Sequence, residues 1–253
     1  YLIEDATIEQ TYVDLVDPAT ASLFKPGGLV AIDGAFEEVP HAEGFWLPNS
    51  LARITAVEGR RLHLGGPIDA DRVRGDYRTR GANRPGIRRL NTGLPSPIRD
   101  SAGRNWPLFV AENAGIRGMT LAQSQKINWF LPTLAVESCF LEDCRIIGRG
   151  IGGNPVAHSR FERLEIRHVN YPLEFAYLSH DTLVKDVTFV QLAPGTIARS
   201  HGIWVNSNEG GKRITFDTIT SYGLIDGGSP AEFAVTLFDG SILKNSRIFA
   251  PSS

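Results

Sequence analysis

One short pattern recurs through the second half of the chain: apolar, two turn-forming residues, apolar, any residue, apolar. It reads Ile116-Arg-Gly-Met119-Thr-Leu121, Leu141-Glu-Asp-Cys144-Arg-Ile146, Phe161-Glu-Arg-Leu164-Glu-Ile166 and Val184-Lys-Asp-Val187-Thr-Phe189. Weaker copies begin at Phe216 and Leu243, so successive starts lie 25, 20, 23, 32 and 27 residues apart. A drifting period in the twenties is the mark of a solenoid whose loops vary in length. Few other constraints on a fold are as strong, because no single repeat can bury its own apolar face.

Alternation with period two marks strands with one buried face. The two-residue break shifts the next apolar residue from an even to an odd offset, so both strand pieces turn their apolar side chains to one interior. The second break residue is Gly118, Asp143, Arg163, Asp186, Thr218 or Asn245. Gly, Asp and Asn suit a left-handed bend; Arg163 and Thr218 suit it less well. A further apolar piece lies between repeats, at 127–131, 173–177, 202–206 and 232–237. The expectation is three short strands per coil, stacked as three parallel sheets. Segments such as Gly202-Ile-Trp-Val205, Lys212–Ile219 and Gly240–Ile248 resemble coils of the right-handed parallel β-helix, the pectin-lyase-like superfamily, over about residues 108–250. The resemblance implies an all-β fold and says little about activity.

The remainder is read as parts attached to that solenoid. Residues 1–23 alternate apolar and polar and are expected to be an early strand segment of it. Residues 24–70 form a small β-module with a hairpin at Glu58-Gly59 between alternating runs. They also carry a polar and aromatic loop (Glu37, Glu38, His41, Glu43, Phe45, Trp46), read as a binding lip or a solvated loop. Residues 71–107 hold nine arginines without periodicity and are read as an arm, either gripping an anionic polymer or tied to surface acids or another subunit.

Composition removes several classes of function. Lys+Arg 26 against Asp+Glu 28 gives a net charge of −2, without the basic excess expected of a nucleic-acid binder. No apolar run reaches membrane-spanning length. The chain opens on Tyr1 and not Met, so processing, trimming or a missing first segment is expected. Cys139 and Cys144 flank the turn Glu142-Asp143; they read either as a redox pair or disulfide, or as two small interior residues in consecutive strands. Neither a metal site nor a cofactor is expected.

Chemistry is sought along the third strand piece and its bordering loops. With Leu173, Phe175, Ile203, Val205, Phe233, Val235 and Leu237 inward, stacking puts Glu174, Trp204 and Thr236 on one outward ladder. Trp204 reads as a platform for a sugar ring or as a residue covered by a loop or neighbouring subunit. The bordering loops hold His180, Asp181, Arg199, His201, Asn206, Glu209 and Asp239, with His158 and Arg160 one coil earlier. Hydrolysis of a glycoside needs two carboxyl groups, for which Glu174, Asp181, Glu209 and Asp239 are candidates. Elimination from a uronate needs a cation and a base, posts open to Arg199, His201, His180 and Lys126. The expected catalytic set is Glu174, His201, Arg199, Asp181 and His180, with Trp204, Asn206, Glu209 and Asp239 binding substrate. The leading reading is therefore a secreted or cell-surface protein cleaving an extracellular polysaccharide, as hydrolase or lyase. The rival is a non-catalytic tailspike-like or adhesion module, for which a homotrimer is expected. A third reading is an isomerase or cyclase acting on a small molecule.

Overall fold

The computed structural model describes residues 3–7, 9–33, 49–68, 85–90, 110–122, 135–148, 156–168, 173–175, 179–191, 201–205, 212–222, 234–236 and 240–249. They are mostly β-strand, and the chain divides into two compact units.

The first unit, Tyr1–Val110 with Asn208–Gly210, is built on an antiparallel five-stranded sheet. The strand order is Tyr12–Asp14, Arg61–Leu64, Asn49–Glu58, Leu29–Asp33 and Gly86–Arg89. Glu58 pairs with Arg61 across a two-residue loop in which Gly59 has φ +58°, so the predicted hairpin is present. Leu15, Ile32, Ile54, Leu62 and Ile87 are among the side chains closing its core. Two expectations change here. Residues 1–23 do not begin the solenoid: Tyr12–Asp14 pairs with Arg61–Leu64, and Asp17 caps a 3₁₀ helix, Pro18–Leu23, by accepting from the Ala19 N–H at 2.9 Å. Within the arginine-rich arm, Gly86–Arg89 is a strand paired with Leu29–Asp33. The pairing follows from Ile87, which is fully buried between Gly86 and Arg88 in the chain and completes the core. The loop 34–48 and, within the arm, residues 71–84 and 91–107 lie outside the described residues.

The second unit, Ala111–Ser207 with Gly211–Ser253, is a parallel, curled sheet in which every coil repeats the one before. The register matches the sequence pattern residue for residue: Ile116, Leu141, Phe161, Val184, Phe216 and Leu243 are successive partners. So are Leu121, Ile146, Ile166, Phe189, Ser221 and Ile248. All six predicted bend residues have positive φ, from 52° at Arg163, Asp186 and Asn245 to 68° at Gly118, with Thr218 at 59°.

The three-strand coil needs correcting. Five residues before each predicted bend lies a second left-handed bend, at Asn113, Ser138, His158, Asp181, Arg213 and Gly240, with φ from 47° to 75°. Four ladders result. The first holds Val110–Glu112, Ala135–Glu137 and Val156–Ala157, continuing into His180 and Lys212. The second lies between the bends and the third follows them. The long strands Arg160–His168, His180–Gln191 and Lys212–Tyr222 run through both. The fourth, Leu173–Phe175, His201–Val205 and Ala234–Thr236, forms its own parallel sheet.

Phe175 of the fourth ladder meets Phe161 and Phe216 of the second, at ring separations of 6.2 and 5.7 Å. These ladders therefore share one interior, in which Phe175, Val184, Phe189, Ile214 and Phe216 are wholly buried. Cys139 and Cys144 each follow a bend residue and are free, buried thiols in that core, as the interior reading expected. Small polar side chains at such posts tie one coil to the next. Ser159 Oγ accepts from the Cys139 N–H at 3.1 Å, and Ser241 and Ser246 accept from Ile214 and Ile219.

Candidate functional site

The first bend gathers ionisable groups. Stacked bend residues Ser138, His158, Asp181 and Arg213 come from four consecutive coils, and Glu137, His180 and Lys212 precede three of them. Because successive coils stack in parallel register, residues more than twenty positions apart are brought within reach of one another. His180 is 5% exposed, and its Nδ1 lies 2.9 Å from Asp181 Oδ2. Arg213 holds Asp181 with two hydrogen bonds, Nε to Oδ1 at 2.8 Å and Nη2 to Oδ2 at 2.6 Å. His158 is half-exposed and packs edge to face on His180, with ring centroids 4.8 Å apart. Its Nδ1 faces Glu137 Oε1 at 3.5 Å and its Nε2 faces Asp181 Oδ2 at 4.0 Å. Glu137 in turn accepts a hydrogen bond from Ser138 Oγ at 3.0 Å.

The electrostatics follow from this packing. Burial pushes the His180 pKa down, against the hydrogen bond to Asp181, and the neighbouring Lys212 and His158 add to the depression. Partial burial works to raise the Asp181 carboxyl, but hydrogen bonds from Arg213 and His180 outweigh it and hold the pKa well below the usual carboxylate range. Asp181 is thus a fixed anion, and His180 a neutral imidazole at neutral pH. The half-exposed ring is His158. A group of this composition can move a proton at His158 while the second histidine and the carboxylates hold its orientation.

Of the predicted catalytic residues, the structure brings His180 and Asp181 together and adds His158 from the preceding coil. For Glu174, His201 and Trp204 it gives the strand pairing: Glu174 is the partner of Trp204, Trp204 of Thr236, and His201 of Ala234. The predicted ladder Glu174, Trp204, Thr236 is therefore in register. Arg199, Asn206, Glu209, Asp239 and Lys126 lie outside the described residues. The fourth ladder precedes the first bend in the chain, with Phe175 only six residues before Asp181. Glu137 and Arg213 were missed. The signal for them was present: shifting each repeat back by three residues aligns 138, 158, 181 and 213 as a polar column.

Two other charged groups are already satisfied. Glu142 is 2% exposed and is met by Arg117 at 2.6 Å, by Arg160 and by Arg163 at 3.4 Å. Along the second bend runs an open groove of about 580 Å³, bordered by Met119, Asp143, Arg145, Arg163, Glu165 and Asp186. Four of its five charges pair among themselves, Arg163 with Asp143 and Arg145 with Glu165.

No protein-family model matches the chain. Among solved structures, it is similar to the tailspike protein gp49 from Pseudomonas phage LKA1, at 12% identity and a TM-score of 0.46, over 87% of this chain and 41% of that one. It is also similar to the Gp54 tailspike of Acinetobacter baumannii bacteriophage AP22, solved in complex with A. baumannii capsular saccharide. There the identity is 12% and the TM-score 0.43, over 87% of this chain and 45% of that one. The chain thus spans less than half the length of either protein. Among the described residues, no helix is long and apolar enough to cross a membrane.

Proposed function

We propose that the second unit is a right-handed parallel β-helix of the pectin-lyase-like kind that binds an extracellular polysaccharide and cleaves it beside the first bend. The observation that carries this reading is the meeting of His158, His180 and Asp181, from two consecutive coils, within 4.8 Å of one another. The saccharide lies along the fourth ladder, with Glu174, Trp204, Asn206 and Asp239 as its contacts.

Elimination accounts for the cluster better than hydrolysis does. The acid of a glycosidase must hold a proton that it gives to the leaving oxygen. Asp181 is a poor donor, because Arg213 and His180 stabilise its ionised form. An exposed imidazole suits the other route. His158 takes the proton α to a uronate carboxylate, the electron pair forms the ring double bond, and the glycosidic C–O bond breaks. Arg199 balances the sugar carboxylate, and His201 gives a proton to the departing oxygen. Each cleavage leaves one unsaturated sugar end and one new reducing end.

A panel of acidic and neutral polysaccharides, followed for reducing ends and for absorbance of unsaturated ends, tests the reading. Cleavage with both signals, lost by about 100-fold or more in His158→Ala, is expected for a lost general base. Reducing ends without unsaturation would replace elimination by hydrolysis. No cleavage across the panel, together with saturable glycan binding that Trp204→Ala abolishes, would replace the enzyme by a binding module.

A further inference from the structure

We propose that His158, His180 and Asp181 form a binding site for a divalent transition-metal ion of the zinc type. Two imidazoles and a carboxylate suit borderline ions such as Zn²⁺ better than calcium or magnesium, which prefer sites made wholly of oxygen. One ligand atom from each residue lies within 4.8 Å of the others. Ligands about 2.0–2.2 Å from one metal stand about 3–3.6 Å apart at right or tetrahedral angles and no more than about 4.4 Å apart when opposed, so the site closes with an inward shift of about 0.5–2 Å by its farthest ligand. His158, half-exposed on its bend, is the member free to make it. The 2.9 Å between His180 Nδ1 and Asp181 Oδ2 sets those ligands nearer a right angle than a tetrahedral one, leaving room for water ligands. Coordination there replaces their hydrogen bond, and the ring proton moves to Nε2, giving the other neutral tautomer.

The surroundings match what metal ligands require of their neighbours. A ligating histidine commonly turns its other ring nitrogen to a carboxylate, and ligating carboxylates are themselves hydrogen-bonded. His158 presents Nε2 toward Asp181 and Nδ1 toward Glu137. Arg213 anchors Asp181 through one bond to each oxygen, and a carboxylate has about four acceptor sites in all, so lone pairs remain for a metal. Glu137 and Asp181 supply two negative charges toward the cation, and Arg213 and Lys212 limit the affinity without closing the site.

Calorimetric titration of the full chain with Zn²⁺, without any glycan, tests this directly. One saturable site is expected, abolished in His158→Ala and weakened about 10–100-fold in Glu137→Gln, the usual cost of losing such a supporting carboxylate. His63→Ala serves as the control, because His63 also faces a carboxylate, Glu58 at 3.3 Å, and binding must survive its loss. Circular dichroism of each variant reports folding, and Co²⁺ added to the wild type should give visible bands that His158→Ala removes. No saturable site in the wild type, or binding unchanged in His158→Ala, overturns the inference. It stands apart from the proposed reaction, since metal binding is read without cleavage. If both hold, Zn²⁺ occupies the nitrogen that would take the proton, so it inhibits cleavage and a chelator restores it.

Discussion

At the scale of single residues, the bends carry the most testable claims. Left-handed backbone costs an L-residue about 1–2 kcal/mol, least for Asn and Asp. Thr218, β-branched at φ +59°, bears that cost where Asp143, Asp186 and Asn245 stand in neighbouring coils. Thr218→Asn should therefore stabilise the protein by about 1 kcal/mol in urea unfolding, and Gly118→Ala should destabilise it by a similar amount. Equal stability in all three proteins would mean that the bends are not strained. Glu142 makes a second claim. Hydrogen bonding to Arg117 holds its carboxyl below the ordinary value of 4.5, with burial opposing and Arg160 adding to the depression. Because the folded pKa is the lower one, the stability it contributes is complete above its unfolded pKa and is lost as pH falls through the folded value. The gap in stability between wild type and Glu142→Gln should thus be widest near neutrality and narrow on acidification below about pH 4.5. A gap constant from neutral to acid pH would refute the pairing.

At the scale of elements, the register of the coils was legible because a one-residue slip would turn every buried side chain outward. Leu141, Phe161, Val184 and Phe216 can occupy one column in only one alignment. The first bend was hidden for the opposite reason. Its column, Asn113, Ser138, His158, Asp181, Arg213 and Gly240, is polar apart from Gly240 but repeats no one side-chain type, and Glu112, Glu137, His180 and Lys212 precede it where a strand signal would be apolar. The site inherited that blindness: His180 and Asp181 are adjacent and could be noticed, whereas Glu137 and Arg213 join them only once the bend is known. In the first unit, Tyr12–Asp14 and Gly86–Arg89 find partners tens of residues away, and no local pattern names a partner. The ladders also predict where side chains cannot be added. Gly115 pairs with Phe140, and a Cβ on Gly115 would stand 2.3 Å from that ring. Gly115→Val should cost about 1–3 kcal/mol, as overpacking does, and Phe140→Ala in the same chain should recover part of it. An additive double mutant would show that the two residues do not touch.

At the scale of the whole molecule, the question is whether the stacked coils open one at a time or together. Neighbour-only contacts would let terminal coils fray independently. The core argues for coupling, because Phe175 bridges Phe161 and Phe216, which belong to the coils on either side of the Val184 rung. Both cysteines of the chain lie in this core, Cys139 at 8% and Cys144 at 3% exposure, so a thiol reagent reports on its opening. Phe175→Ala should cost about 3–5 kcal/mol, the usual loss for a buried phenylalanine. If the stack is cooperative, both thiols of that variant react faster by a common factor, although Phe175 lies on a different ladder and about thirty residues away in sequence. If the coils open singly, the variant leaves both rates near those of the wild type. Acceleration of one thiol alone would place a boundary between cooperative segments inside the second unit, between two bends only five residues apart.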